Sequence, residues 1–144
     1  MPEGKKSGFV ALLGRPNVGK STLLNRILGA KIAIVTSKPQ TTRDRIAGIF
    51  NGERGQIVFL DSPGIHRPKK ALNSYMVRTA ERIASESDIV VHLVDDRPGE
   101  NGEEETLVRG ILSHVDAPRL LVVNKADRME EGAAKARRDA IMES

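Results

Sequence analysis

The chain has 144 residues, 39% of them hydrophobic, enough for one domain and too few for two of ordinary size. It contains no cysteine, which excludes disulfides, thiolate nucleophiles and zinc–thiolate sites and suits a reducing compartment. The net charge of +4 is unevenly spread: residues 1–45 carry nine Lys and Arg against two acids, the rest fourteen against seventeen.

Residues 1–7, MPEGKKS, have no apolar core behind their lysines and read as neither signal peptide nor membrane span. Ser7 to Leu13 predicts a buried strand, bounded by Gly14. From Lys20 to Leu28 the residues Leu23, Leu24, Ile27 and Leu28 recur at helical spacing, and Gly29 supplies a stop. Residues 30–45 turn polar around Pro39, Thr41 and Thr42 and predict a loop. Ile46–Phe50 and Gln56–Leu60 flank NGERG, a connector of turn formers that predicts an antiparallel hairpin. Asp61-Ser62-Pro63-Gly64 ends the second of these strands, and His66 to Lys70 continue as a basic loop. A helical stripe of Leu72, Tyr75, Met76, Thr79, Ile83 and Ala84 follows, up to Ser87. After Asp88 comes the continuous apolar strand IVVHLV, then a turn and an acidic first helical turn, where negative charge complements the helix macrodipole. Leu107, Ile111, Leu112 and Val115 mark the apolar face of that helix. LLVV, after Arg119, predicts a fifth strand ending at Asn124, and a last helix is expected from Met129 or Glu131 onward. Alternating strands and helices of this kind predict an α/β fold with a largely parallel sheet, to which the hairpin adds one antiparallel edge.

GRPNVGKS, residues 14–21, fits the phosphate-binding pattern G-x-x-x-x-G-K-[ST], with Gly14, Gly19, Lys20 and Ser21 in register. The pattern needs a tight turn whose amides face phosphate oxygens and lead into a helix N-terminus, and it lies here between a predicted strand and a predicted helix. Residues from Gly14 through Arg15, Pro16, Asn17, Val18, Gly19, Lys20 and Ser21 to Thr22 are therefore candidate nucleotide contacts. Lys20 can reach the β and γ phosphates, and the Ser21 hydroxyl can ligate Mg²⁺. Asp61 ends an apolar strand and reads as the second magnesium determinant, through a metal-bound water, with Ser62 and Pro63 beside it and the Gly64 amide placed to sense the γ phosphate. Thr42 is the candidate for a metal ligand that departs with the γ phosphate, as in a switch loop, and Thr41 is its rival. In Asn124-Lys125-Ala126-Asp127, the Asp127 carboxylate can accept hydrogen bonds from guanine N1–H and its exocyclic amine, which adenine does not offer. Asn124 and Lys125 would brace that loop and flank the ring. His66, His92 and His114 are scattered, and His92, among valines in a strand, reads as a packing residue.

The ordered set GRPNVGKS, QTTRDR, DSPG and NKAD resembles the translation-associated GTPases. Within them, KPQTTRDRIAGIF and DSPGIHRPKKALNSYM closely resemble the Era family, bacterial GTPases that assist small ribosomal subunit assembly. The resemblance implies a P-loop NTPase α/β/α sandwich, GTP hydrolysis, and Thr42 rather than Thr41 as the switch ligand. It implies Lys20 on phosphate, Ser21, Thr42 and Asp61 around magnesium, and Asn124 with Asp127 on guanine. Ile65 follows Gly64 where Ras-like proteins place a glutamine; an isoleucine cannot orient water by hydrogen bonding. Some relatives hold a potassium ion through the asparagine matching Asn17, which makes Asn17 a candidate catalytic residue beside Lys20, Thr42 and Gly64.

Era proteins continue for about as long again, with a KH domain that binds the end of the small-subunit RNA, and no such domain is expected within these 144 residues. The resemblance leads us to expect a single, incomplete G domain over residues 1–144, lacking its last strand and helix, with LLVV left as an exposed edge. A cytoplasmic monomer is expected. The excess cations leave two readings open: general surface charge, or a polyanion contact with RNA or the inner face of the cell membrane through Lys5, Lys6, Lys69 and Lys70. Against base stacking, the aromatic stock is only Phe9, Phe50, Phe59 and Tyr75, and Phe9 and Phe59 fall in apolar strands where rings are expected to be hidden. The rivals to a GTPase are a non-catalytic nucleotide-dependent interaction module and a fragment that does not fold stably.

Overall fold

The computed structural model describes residues 4–14, 18–29, 46–61, 71–96 and 103–142. Five strands and four helices alternate along it: β1 (Lys6–Leu13), α1 (Lys20–Leu28), β2 (Ile46–Asn51), β3 (Gly55–Asp61), α2 (Ala71–Ser85), β4 (Ile89–Val94), α3 (Glu103–Leu112), β5 (Arg119–Val123) and α4 (Ala133–Met142). The strands form one sheet in the order β2-β3-β1-β4-β5. All neighbours run parallel except β2 and β3, the antiparallel hairpin. This is the α/β/α sandwich of the P-loop NTPases, with a mixed, mostly parallel sheet, as the resemblance implied.

Both faces of the sheet are covered, which is why the central strands read as continuous apolar runs rather than alternating ones. On one face Ala11, Leu13, Leu60 and Val90 pack against Ala80, Ile83 and Ala84 of α2 and Val108, Ile111 and Leu112 of α3. On the other, Leu12, Phe59 and Val91 meet Leu24 of α1, with Val10, Leu28, Ala47 and Val122 partly buried around them. Burial is densest in β4, where every residue from Val90 to Val94 is enclosed. The hairpin closes with Gly52 donating to Gly55 at 2.8 Å, and Gln56 Nε2 donates to Asn51 Oδ1 across it at 2.9 Å.

Three expectations need correction. β1 is buried only from Ala11 onward: its first half faces solvent, and Phe9 is 45% exposed while Phe59 is hidden. The reason is reach, since β1 projects past the N-terminal end of β4, whose pairing with it begins at Val10. Val115 belongs to the core but not to α3, which ends at Leu112. There the helix tightens into a turn in which Val115 donates to Leu112 at 3.0 Å, and the Arg119 guanidinium donates to the Leu112 and Val115 carbonyls, satisfying the helix end. The last helix starts at Ala133, later than expected. A short 3₁₀ turn, Ala126–Arg128, precedes it, and Gly132, at φ 82°, has a left-handed backbone that no helix passes through.

β5 lies at the edge of the sheet, as expected, and Leu120 on it is 57% exposed. The expected loop at 30–45 and the basic loop at 66–70 lie outside the described residues.

Candidate nucleotide site

The C-terminal ends of β1, β3, β4 and β5 open onto one edge of the sheet, the edge where open α/β sheets bind ligands. β1 ends at Leu13, and Gly14 follows pressed against β4: a Cβ there would lie 2.8 Å from the Leu93 carbonyl oxygen and 2.8 Å from Val18 Cγ1. A side chain at position 14 would push the loop off the sheet. Val18 is buried, and Gly19, at φ 104° and ψ 22°, turns the chain into α1. Lys20 is thus the first helical residue, with the exposed Ser21 and Thr22 in the open first turn, where amides and the helix dipole favour an anion. No acidic side chain lies in that turn to compete. The Lys20 ammonium, mostly enclosed, stands 3.6 Å from a carboxylate oxygen of Asp61, the last residue of β3.

The NKAD loop meets this one directly. Asn124 extends the β ladder by donating its amide to the Val94 carbonyl at 2.7 Å, and its side-chain Nδ2 donates to the Val18 carbonyl at 3.1 Å. That amide group lies where a Cβ on Gly19 would be, so the glycine is needed for both its left-handed φ and the room it leaves. Lys125 follows, at φ 58° and ψ 32°, with its ammonium 3.0 Å from Asp95 Oδ2. Asp127 sits exposed in the 3₁₀ turn beyond.

The structure therefore brings together Gly14, Val18, Gly19, Lys20, Ser21, Thr22, Asp61, Asn124, Lys125 and Asp127 along one sheet edge. Arg15, Pro16, Asn17, Thr41, Thr42, Ser62, Pro63, Gly64 and Ile65 lie outside the described residues, as do His66, Lys69 and Lys70. Two residues missed in the sequence belong to the surroundings of the site. Asp95 is only 1% exposed, and Arg137 of α4 donates to its carbonyl while pairing with Glu105 of α3. An acid directly after the strand IVVHLV was the available signal for Asp95; Arg137, forty-two positions away, left none.

No three His, Asp or Glu side chains converge on a metal site among the described residues. The donors at the phosphate loop are instead one hydroxyl, Ser21, and one carboxylate, Asp61, a set suited to a magnesium ion whose other ligands are phosphate oxygens and water. His92 lies in the sheet interior behind this edge. Burial, reinforced by Arg109, Arg137 and Arg119, lowers its pKa to about 4, so it is a neutral packing group at pH 7.

Comparison with known proteins places the chain in a family. The family model described as "50S ribosome-binding GTPase" matches residues 9–125. GTPase Era of Geobacter metallireducens is 52% identical over 134 residues, which cover 92% of this chain and 44% of that protein. The chain belongs to the 50S ribosome-binding GTPases, and among them to the Era family. A crystal structure of an Aquifex aeolicus Era variant bound to GDP·AlF4⁻ superposes with a TM-score of 0.74 at 37% identity, covering 96% of this chain and 47% of that one. Another, of Era with MgGDPNP and nucleotides 1506–1542 of 16S ribosomal RNA, gives a TM-score of 0.72 at 39% identity, covering 96% and 46%. This Era-family chain spans somewhat under half the length of the relatives it matches.

Proposed function

We propose that this domain binds guanine nucleotides and hydrolyses GTP to GDP and phosphate, and that the exchange between the two bound states controls a contact with ribosomal RNA. The observation that carries the reading is the seating of Asn124 on the phosphate loop, through Val18 and against Gly19. It makes the base-reading and phosphate-reading segments adjoin, so one nucleotide can span both.

Each side chain then has a task set by its chemistry. Lys20 offers its ammonium to the β and γ phosphates, beside the amides that open α1. Asp61, held near Lys20 in the structure, keeps a negative charge at the mouth of the phosphate loop, where a cation is to be held. Ser21, Asp61 and Thr42 would hold magnesium, which when bound offsets charge on the β and γ phosphate oxygens. The Gly64 amide senses the γ phosphate. Asp127 accepts from guanine N1–H and its amine, and Asn124 braces it. Phosphoryl transfer depends chiefly on positioning and electrostatics, so intrinsic turnover is slow. Asn17 is assigned to a potassium ion supplying further positive charge; equal turnover in potassium and sodium at matched ionic strength overturns that assignment.

The ribosomal partner is transferred from the relatives named Era, one of them solved with 16S RNA. The broader family description names the 50S subunit instead. We favour the small subunit because the 39% identical structure is the more specific likeness.

The decisive experiment titrates the chain with labelled GDP, GTP and ATP and follows phosphate release. Selective binding of GDP and GTP, with slow release from GTP, is expected. Binding without release would make it a nucleotide-dependent interaction module. Asp127→Asn should move preference from guanine toward xanthine, because an amide replaces the carboxylate acceptor; an unchanged preference would remove Asp127 from base recognition.

A further inference from the structure

We infer that Asp95 is a positioning residue for base selection, acting through Lys125 on the direction in which Asp127 faces the nucleotide. The inference rests on the guanine reading of the site and adds a residue that no part of that reading requires.

Asp95 follows β4 directly and is almost wholly enclosed. A carboxylate so placed is costly unless a cation and hydrogen bonds compensate it. Lys125 supplies the cation, with its Nζ 3.0 Å from Oδ2. Arg137 donates to the Asp95 carbonyl from α4 and pairs with Glu105 of α3, so the residue is tied to two helices as well as to its strand. The lysine at the other end of the bond is unusual. Among the described residues it is the one non-glycine with a positive φ, 58°. A lysine released from its partner has every steric reason to leave that region for an ordinary backbone conformation.

Where Lys125 sits makes this consequential. Its backbone joins Asn124, docked on Val18, to the turn that carries Asp127, and Arg128 closes that turn by donating to the Lys125 carbonyl at 2.9 Å. A change of φ at Lys125 swings Asp127 about a fixed Asn124. The ion pair joins the NKAD loop to the end of β4, so the loss of Asp95 should impair reading of the base more than reading of the phosphates.

The test compares GDP, ADP and inorganic tripolyphosphate as ligands of the wild-type chain and of Asp95→Asn, which keeps the shape and removes the charge. The GDP-over-ADP preference should fall about tenfold in the variant, the scale of one lost charge-assisted hydrogen bond, while tripolyphosphate affinity stays within about twofold. Lys125→Met keeps the aliphatic stem and should produce the same loss; adding Asp95→Asn to it should then change nothing further. This second variant also carries the test if Asp95→Asn alone does not fold. A preference retained by a folded Asp95→Asn or by Lys125→Met overturns the inference alone, as does an equal loss for all three ligands, which marks a structural role only. A wild-type chain without preference for GDP overturns the guanine reading and this inference with it.

Discussion

Gly19 and His92 show how much a single position decides. At Gly19 two demands coincide: a left-handed backbone at φ 104° and space for the Asn124 side chain. Gly19→Ala meets neither, since the methyl would displace Asn124 and the backbone would be strained by roughly 1–2 kcal/mol. The expected result is a fall of at least about tenfold in GDP affinity, together with a thermal midpoint lowered by several degrees; calorimetric titration and a melt check both. His92 links position to pH. Its pKa, lowered to about 4 by burial and then by Arg109, Arg137 and Arg119, lies below that of an unfolded histidine near 6.5. Between these values the unfolded chain binds more protons, so the contribution is complete above pH 6.5, falls as pH drops toward 4, and is lost below that. Its size is on the order of 3 kcal/mol. Urea unfolding of the wild type and of His92→Leu across this range should show a steeper acid loss for the wild type. The sequence suggested that His92 packs in the sheet, because valines surround it, but the three arginines that reinforce the effect of its burial come from separate elements.

At the scale of elements, β1 and β4 are joined by a bracket that precedes their ladder. Asp88 Oδ2 accepts from the Phe9 amide at 2.8 Å, and the Asp88 amide donates to the Phe9 carbonyl at 2.9 Å. Asp88→Ala removes one of these bonds and should cost about 1–2 kcal/mol in urea unfolding, with faster hydrogen exchange at the Phe9 amide. Unchanged exchange would deny the bracket any role in strand registration. Element type and order were legible in the amino-acid pattern because both signals are local: apolar runs of strand length and apolar stripes of helical spacing. Boundaries were less so. α3 stops at Leu112 because the Arg119 side chain satisfies its last carbonyls from the next strand, and α4 waits for Gly132 to complete a left-handed turn. Neither the arginine's reach nor the glycine's φ is a property of sequence spacing.

For the molecule as a whole, the uneven covering of the sheet sets the behaviour. The apolar residues Phe9, Phe50, Ile57 and Leu120 of the sheet remain at least one-third exposed, with Phe50 and Leu120 on the two edge strands. An apolar edge of this kind invites pairing between chains. Leu120→Lys should therefore reduce light scattering during refolding at high protein concentration while leaving stability within about 0.5 kcal/mol; undiminished scattering would place the liability elsewhere. By itself the sequence determined the parallel architecture and the chemistry of the phosphate and NKAD segments, since each is written in contiguous residues whose spacing carries the physics. Only the tertiary structure decided that Asn124 rests on Gly19, that Lys20 stands by Asp61 and that a buried Asp95 holds Lys125. Those partners are distant along the chain and meet because strand order, not sequence order, sets which loop ends share an edge.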